Sequence, residues 1–521
     1  MKTPLESFID FKAETDKQCG NYSIELPVLQ DNEQYRFHFD AIACIGCRCC
    51  EVACNEQNNN PADIKWRRVG EMEGGEFPYT TQLFNSMSCN HCIDPECLKG
   101  CPTNSYIKLD NGIVFHNDDV CIGCQYCTWN CPYEVPTFHE ERNIVTKCHM
   151  CHERLEVGQS PACVQACPSG AIEIEAVNVE EWLDGDIDTQ GNMPNLTDAR
   201  VSNSTTRYTL PQELPEELNS ADEHHLKPFH KELPLVFMTV LTQISLGAFL
   251  ALFLGTLLSN IGFEEPNFLM AIAVVVPAAL GLPLSALHLG RPFMALSAMK
   301  NYKTSWLSRE AILLGVFTIL MSANTVLYFL EVPIFTRTLF EFITLVIGVA
   351  GIYSQSKIYM LAARPSWNRR TTMLKFFSTG YIGLFLIALI SLMTQNHTAS
   401  ISLLALSMMI AVVHGFFSYE DRRDLYNHKI NKEPIAKTLR LYNEYFPIYT
   451  KVRVTTFILG ALALPLFVTI LVGAGEYSNA IIILAISLII MSVSEFIDRM
   501  LFYATSTCLG MAGSFFVGRQ R

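Results

Sequence analysis

The chain has 521 residues, 19 of them cysteine, and a formal net charge of −13, and it is longer than one ordinary domain. The charge is unevenly spread: residues 1–231 carry 37 Asp/Glu against 17 Lys/Arg and eighteen of the cysteines, whereas residues 232–521 carry 14 against 21 and long apolar runs. An acidic first part excludes a nucleic-acid binder, which needs clustered Lys/Arg, and points to protein partners.

Residues 1–34 read as a polar N-terminal extension. Its start, Met1-Lys2-Thr3-Pro4-Leu5-Glu6, has neither an apolar core nor a twin-Arg pair, so the first part is expected in the cytoplasm, where closely spaced cysteines serve as ligands and not disulfides. Tyr35-Arg36-Phe37-His38-Phe39-Asp40 then alternates like a strand.

Four cysteine groups follow: Cys44, Cys47, Cys50 and Cys54; Cys89, Cys92, Cys97 and Cys101; Cys121, Cys124, Cys127 and Cys131; and Cys148, Cys151, Cys163 and Cys167. Paired C-x2-C units alone would suit zinc. Each group, however, adds a fourth Cys at an x3 offset, and Pro102, Pro132 and Pro168 follow three of them. That is the pattern of two-cluster ferredoxins, where the fourth thiolate serves the other cluster. Sixteen cysteines thus predict four [4Fe-4S] clusters. Cys19, Cys49 and Cys508 stay unassigned.

Between the second and third groups, Tyr106–Leu109 and Ile113–His116 flank Asp110-Asn111-Gly112, a hairpin signal, and Ala171-Ile172-Glu173-Ile174 closes the region as another strand. The expected fold class is an α+β double ferredoxin-like domain over residues 35–177, followed by an all-α membrane bundle. Residues 178–231 are acidic and proline-containing, with few apolar residues, and read as an extended tether. The beads Leu196, Tyr208 and Leu210 suggest a strap across a partner subunit.

From 232 to 521 eight segments are long and apolar enough to span a bilayer: 234–258, 267–287, 310–330, 339–360, 376–393, 399–418, 454–473 and 478–500. The connections after even-numbered spans, with the tail, hold 18 Lys/Arg, and those after odd-numbered spans hold only Arg337. The positive-inside rule puts the even loops, both termini and the cluster domain on the cytoplasmic side.

A membrane bundle tied to an iron–sulfur relay needs haem or quinone. Haem would need axial histidines, for which His288 and His414 are the candidates, His397 and His428 being in loops. Quinone is the better fit, because its two-electron chemistry releases protons and wants titratable groups at the boundary near a cluster. His288-Leu289-Gly290-Arg291-Pro292 and Ser308-Arg309-Glu310 lie there, although the same residues would also serve as an interfacial ion-pair network. Lys357, Glu341, Glu495, Asp498 and Arg499 carry the same ambiguity.

Residues 35–177 resemble the four-cluster electron-transfer subunit of the dimethyl sulfoxide reductase family of molybdoenzymes, through the cysteine groups and Cys127-Thr-Trp-Asn-Cys131-Pro132-Tyr133. Residues 232–521 resemble the anchor subunit of the same enzymes, through eight spans, the His288–Pro292 motif and Trp306-Leu307-Ser308-Arg309-Glu310. The resemblance implies a fusion of two subunits. It implies four ligand sets: Cys44, Cys47, Cys50 and Cys167; Cys148, Cys151, Cys163 and Cys54; Cys89, Cys92, Cys97 and Cys131; Cys121, Cys124, Cys127 and Cys101. Similar nitrate reductase subunits carry Trp where this chain has Cys124, so four cubanes are expected.

The resemblance also implies a menaquinol site at His288 and Glu310, with Arg291 beside them, no haem, and a molybdopterin in a separate catalytic subunit. The chain itself would catalyse nothing beyond quinol oxidation or reduction. Terminal substrate and direction of flow are invisible: S- and N-oxide reductases draw from menaquinol, whereas cytoplasmic sulfite oxidisers, which Trp66-Arg67-Arg68-Val69-Gly70-Glu71 weakly resembles, feed quinone. The reductase reading is preferred. Alternatives from other classes are a free-standing membrane ferredoxin, a structural anchor and a relay-coupled proton pump.

Overall fold

The computed structural model describes residues 26–221, 226, 228, 229, 231–259, 265–428 and 433–510. Cys19 and most of the N-terminal extension lie outside them.

The alternating stretch forms β1 (Glu33–Asp40), the middle strand of a three-stranded sheet. β1 runs antiparallel to β8 (Ile172–Asn178), with Phe37 opposite Ile174 and Phe39 opposite Ile172, and parallel to β9 (Arg207–Thr209), with Phe39 opposite Tyr208. Period-2 alternation puts Phe37 and Phe39 on the buried face, where the cysteine loops pack on them. A second sheet orders β10 (Leu218–Ser220), β2 (Arg68–Gly74) and β3 (Thr81–Met87). Two hairpins complete the domain: β4 (Tyr106–Lys108) with β5 (Val114–His116), turned at the Asn-Gly signal, and β6 (Thr137–His139) with β7 (Ile144–Thr146).

The stretch expected to be a tether is largely folded onto this domain. β9 and β10 each add a strand to a sheet edge. Trp182 is buried and donates from Nε1 to Ser204 O at 2.8 Å, and Thr205 Oγ1 donates to Asn90 O at 2.7 Å. Leu196, Tyr208 and Leu210 pack into the chain's own core, not a partner's. Strand addition supplies backbone hydrogen bonds that composition does not reveal.

Eight helices are long and apolar enough to cross a membrane among the described residues: α1 Leu233–Ser259, α2 Phe268–His288, α3 Trp306–Phe329, α4 Ile334–Tyr359, α5 Arg370–Met393, α6 His397–Asn427, α7 Pro447–Gly473 and α8 Tyr477–Ala504. Several begin before the apolar run, because polar first turns such as Arg370–Lys375 are helical too. For the same reason His397 and His428, expected in loops, bound the helical stretch that contains α6. α1 and α5 are central, with 83% and 78% of their apolar windows buried against at most 33% for the others. They cross where Gly247 meets Gly380 and Gly383; a Cβ on Gly383 would lie 2.1 Å from Ile244 O. Small residues permit that backbone approach, the usual basis of helix association in lipid. The other six helices present their apolar outer faces to the bilayer.

Candidate functional site

The cysteine runs are loops leading into short helices, so each run presents several thiols from one turn while its last Cys is carried away by the helix. Cys54 ends the first run yet sits among Cys148, Cys151 and Cys163. These four line one cavity with Arg67, Trp66 and Phe37. Cys131, from the third run, joins Cys89, Cys92 and Cys97 around a second cavity, with Lys147 and Tyr133 in its wall. Cys127 neighbours Cys121, Cys124 and Cys101, and Cys44 neighbours Cys47 and Cys167, with Cys50 buried on the same run. Cys47 is exposed, beside the exposed Cys49.

Sulfur spacing bears on what these sets can hold. Tetrahedral zinc, with Zn–S of about 2.3 Å, brings its sulfurs to roughly 3.8 Å of one another. Among the described residues, the clusters of potential ligand atoms within 4.8 Å of one another are His38–Glu173–Glu175 and His414–Glu495–Asp498, neither containing a Cys. The thiols are instead grouped around shared cavities. Burial pushes the Cys50 thiol up to about 11 and Cys92, Cys124, Cys131 and Cys151 up to about 12, so thiolates here require a cation among them. An iron–sulfur core supplies that charge, and the residues fit it.

The set containing Cys124 lies against the membrane bundle. Arg291 N donates to Ile122 O at 3.0 Å, and its Nη1 to Asp118 O at 3.0 Å and Cys121 O at 3.4 Å. Asn301 Nδ2 donates to Cys101 O at 2.8 Å, and Ser305 Oγ to Gly100 O at 2.7 Å. Gly123 and Gly290 touch backbone to backbone: a Cβ on Gly290 would lie 2.1 Å from Asn143 O. From the cluster loop, Tyr126 OH donates to Ile358 O at 3.0 Å, and Trp129 packs among Tyr359, Trp367 and Tyr503. Arg291, expected at a quinol site, thus spends its guanidinium on the cluster loop.

His288 ends α2, half-buried, with Nδ1 on Ser285 O. Glu310, just after the first turn of α3, is buried, and Gln355 Nε2 donates to its Oε1 at 2.9 Å. Tyr126, on the cluster loop, lies within electrostatic reach of both Glu310 and Cys124. Behind it runs a buried polar network that sequence reasoning missed. Gln243 Nε2 donates to Gln355 Oε1 at 2.8 Å, and Arg499 Nη2 to Gln243 Oε1 at 2.9 Å. Two amides in otherwise apolar spans were the available signal, since a lone polar group in lipid is costly unless paired. Arg499 continues to Glu495 at 3.7 Å. His414, the other haem candidate, has both ring nitrogens engaged, Nε2 by Glu495 at 3.3 Å and Nδ1 by Ser378 Oγ at 2.8 Å. Asp498 lies between Lys375 at 2.9 Å and Arg453 at 2.8 Å. Cys508 rests against the carbonyls of Cys131 and Pro132.

A double ferredoxin-like domain with thiol-lined cavities, seated on eight membrane helices, defines a membrane-anchored iron–sulfur electron-transfer protein. Comparison narrows the class. Residues 227–505 match the family described as DMSO reductase anchor subunit (DmsC), and residues 80–177 match the 4Fe-4S dicluster domain. The B subunit of the anaerobic dimethyl sulfoxide reductase from Haemophilus influenzae is 38% identical over 155 residues, 28% of this chain and 76% of that protein. Its counterpart from Escherichia coli K12 is 35% identical over 169 residues, 31% and 82%. The iron-sulfur subunit of the nitrate-inducible formate dehydrogenase of E. coli K12 is 41% identical over 150 residues, 26% and 51%. The present protein belongs to the DMSO reductase family, as a fusion of its iron–sulfur subunit and its DmsC-type anchor.

Proposed function

We propose that the chain relays electrons between the quinone pool and a separate molybdopterin-containing catalytic subunit, drawing on menaquinol to serve an S- or N-oxide reductase. The observation that carries this reading is the junction: the Cys124 set is held by the α2–α3 loop, directly over the helix ends that bear His288 and Glu310. Each of the four thiol sets would hold one [4Fe-4S] cluster, and the clusters supply one-electron transfer when bound.

The protein's own residues handle the protons. Quinol oxidation releases two electrons and two protons. The Glu310 carboxylate, oriented by Gln355, takes one proton, and His288, its Nδ1 engaged by Ser285, offers Nε2 to the other hydroxyl. Arg291 holds the cluster loop against this site. Cys47 is exposed, and so are the neighbouring apolar residues Ile42, Ile45 and Val52, a surface suited to the catalytic subunit. The basic loops after even-numbered helices support a cytoplasmic position for the cluster domain and both termini.

A second reading, supported by the Trp66–Glu71 motif, runs the relay oxidatively from a sulfite dehydrogenase into quinone. Purifying the complex from membranes and assaying S-oxide, N-oxide and sulfite separates the two. Menaquinol-dependent S- or N-oxide reduction supports the first, and sulfite-driven quinone reduction supports the second.

A further inference from the structure

Arg67 is buried at 2% exposure, a position almost never given to an arginine without a paired carboxylate. No ion pair between Arg67 and a carboxylate occurs among the described residues. The buried Glu51, which accepts from the nearby Val69 N, is taken by Lys65 at 2.5 Å. Arg67 Nη1 donates to Ser86 O at 3.0 Å and Nη2 to Ser88 Oγ at 2.9 Å, and the guanidinium lies 4.6 Å from the centre of the Phe37 ring. Both hydroxyl and carbonyl partners are neutral.

The anions that face it are sulfurs. Arg67 lines the cavity walled by Cys54, Cys148, Cys151 and Cys163, and its Nη1 lies 3.3 Å from Ser86 Oγ, which is itself 3.3 Å from Cys50 Sγ. Cys50 belongs to one thiol set and Cys54, Cys148 and Cys163 to the next, so one fixed positive charge stands between two neighbouring cofactor sites. Cys124, at the membrane end, is not among the residues that line the Arg67 cavity.

We propose that Arg67 is a potential-setting residue: its buried charge, shared between the Cys50 set and the Cys54 set, raises the reduction potential of the clusters they hold relative to the membrane-side cluster. This rests on the proposed ligand sets. One-electron reduction, with quinol or a dithionite titrant as donor, adds one negative charge to a site already facing a desolvated cation, and in a low-dielectric interior that pairing favours the reduced state. Hydrogen bonds to Ser86 and Ser88 fix the charge in place, so its effect does not average away.

The test is an EPR-monitored redox titration of the whole complex in membranes. In R67Q the midpoints of the two centres beside Arg67 should move to lower potential while the Cys124-set centre stays put, and R67K should keep most of the original values. Unmoved midpoints in R67Q, or equal shifts in R67K and R67Q, would overturn the inference alone. Fewer than four centres in the unsubstituted complex would overturn the ligand reading and this inference with it. Should R67Q fail to load clusters, pulsed ENDOR on the unsubstituted complex with ¹⁵N-arginine gives an independent answer. A nitrogen coupling at a reduced centre supports the inference, and its absence overturns it.

Discussion

The hydrogen bond from Gln355 to Glu310 offers a quantitative handle on the proposed quinol site. Gln355→Leu removes the amide that meets Glu310 Oε1 at 2.9 Å and also its bonds to Thr242 and Gln243, at 3.2 and 2.8 Å. A hydrogen bond to a charged group contributes about 1.5–3 kcal/mol, and each ~1.4 kcal/mol withheld from a transition state slows a step about tenfold. If the carboxylate must be oriented to take the quinol proton, quinol-driven reduction of the centres should slow roughly 10- to 100-fold. Reduction of the same centres by dithionite should not change, because it bypasses the site. The assay is stopped-flow reduction by a menaquinol analogue in membranes, with dithionite as the parallel reaction. A Gln355→Leu rate within about twofold of the original would refute the assigned role of this bond, since it corresponds to less than ~0.5 kcal/mol.

Further outcomes follow from other contacts. Asp498→Asn leaves Lys375 and Arg453 without their shared buried anion and should cost about 3–5 kcal/mol, read as a lower unfolding midpoint in detergent. Gly290→Ala forces a Cβ onto Asn143 O and should loosen the cluster loop, seen as a broadened membrane-side EPR signal with the distal centres intact. Iron removal should make residues 26–221 protease-sensitive while the helices persist, because the buried cysteines are part of that domain's core. Glu175, beside Arg36 and Arg207, has its carboxyl held below its ordinary 4.5, these partners outweighing its burial. A depressed folded-state value stabilises fully above 4.5 and is lost as pH falls through the folded value. The Tm gap between the original and Glu175→Gln should therefore be present at about pH 7 and close on acidification; a gap that persists would contradict this.

The cysteine pattern was readable because cluster ligation is written in local spacing, and the cross-over of each run's last Cys follows from the helix that carries it away. The spans were readable for an equally simple reason, length and hydropathy, but their ends were not, since polar first turns such as Trp306–Arg309 are set by capping and packing. Residues 178–221 misled because edge-strand pairing leaves little trace in composition. The His288–Pro292 motif lies where the bundle meets the cluster loop, yet only the fold shows that Arg291 reaches that loop while His288 turns back to Ser285 of its own helix. Gln243 and Gln355 went unremarked because the sequence offers no way to see that they meet. Arg67 was visible only as part of a charged motif, and its burial among four thiols is a property of the assembled domain.

The most direct test of the quinol relay is EPR of the complex in membranes during reduction by a menaquinol analogue, in the original protein and in Glu310→Gln. Four interacting [4Fe-4S] signals that menaquinol reduces are expected, with reduction blocked in Glu310→Gln although dithionite still reaches every centre. Centres that menaquinol leaves oxidised in the original protein, or reduces equally well in Glu310→Gln, would contradict the relay.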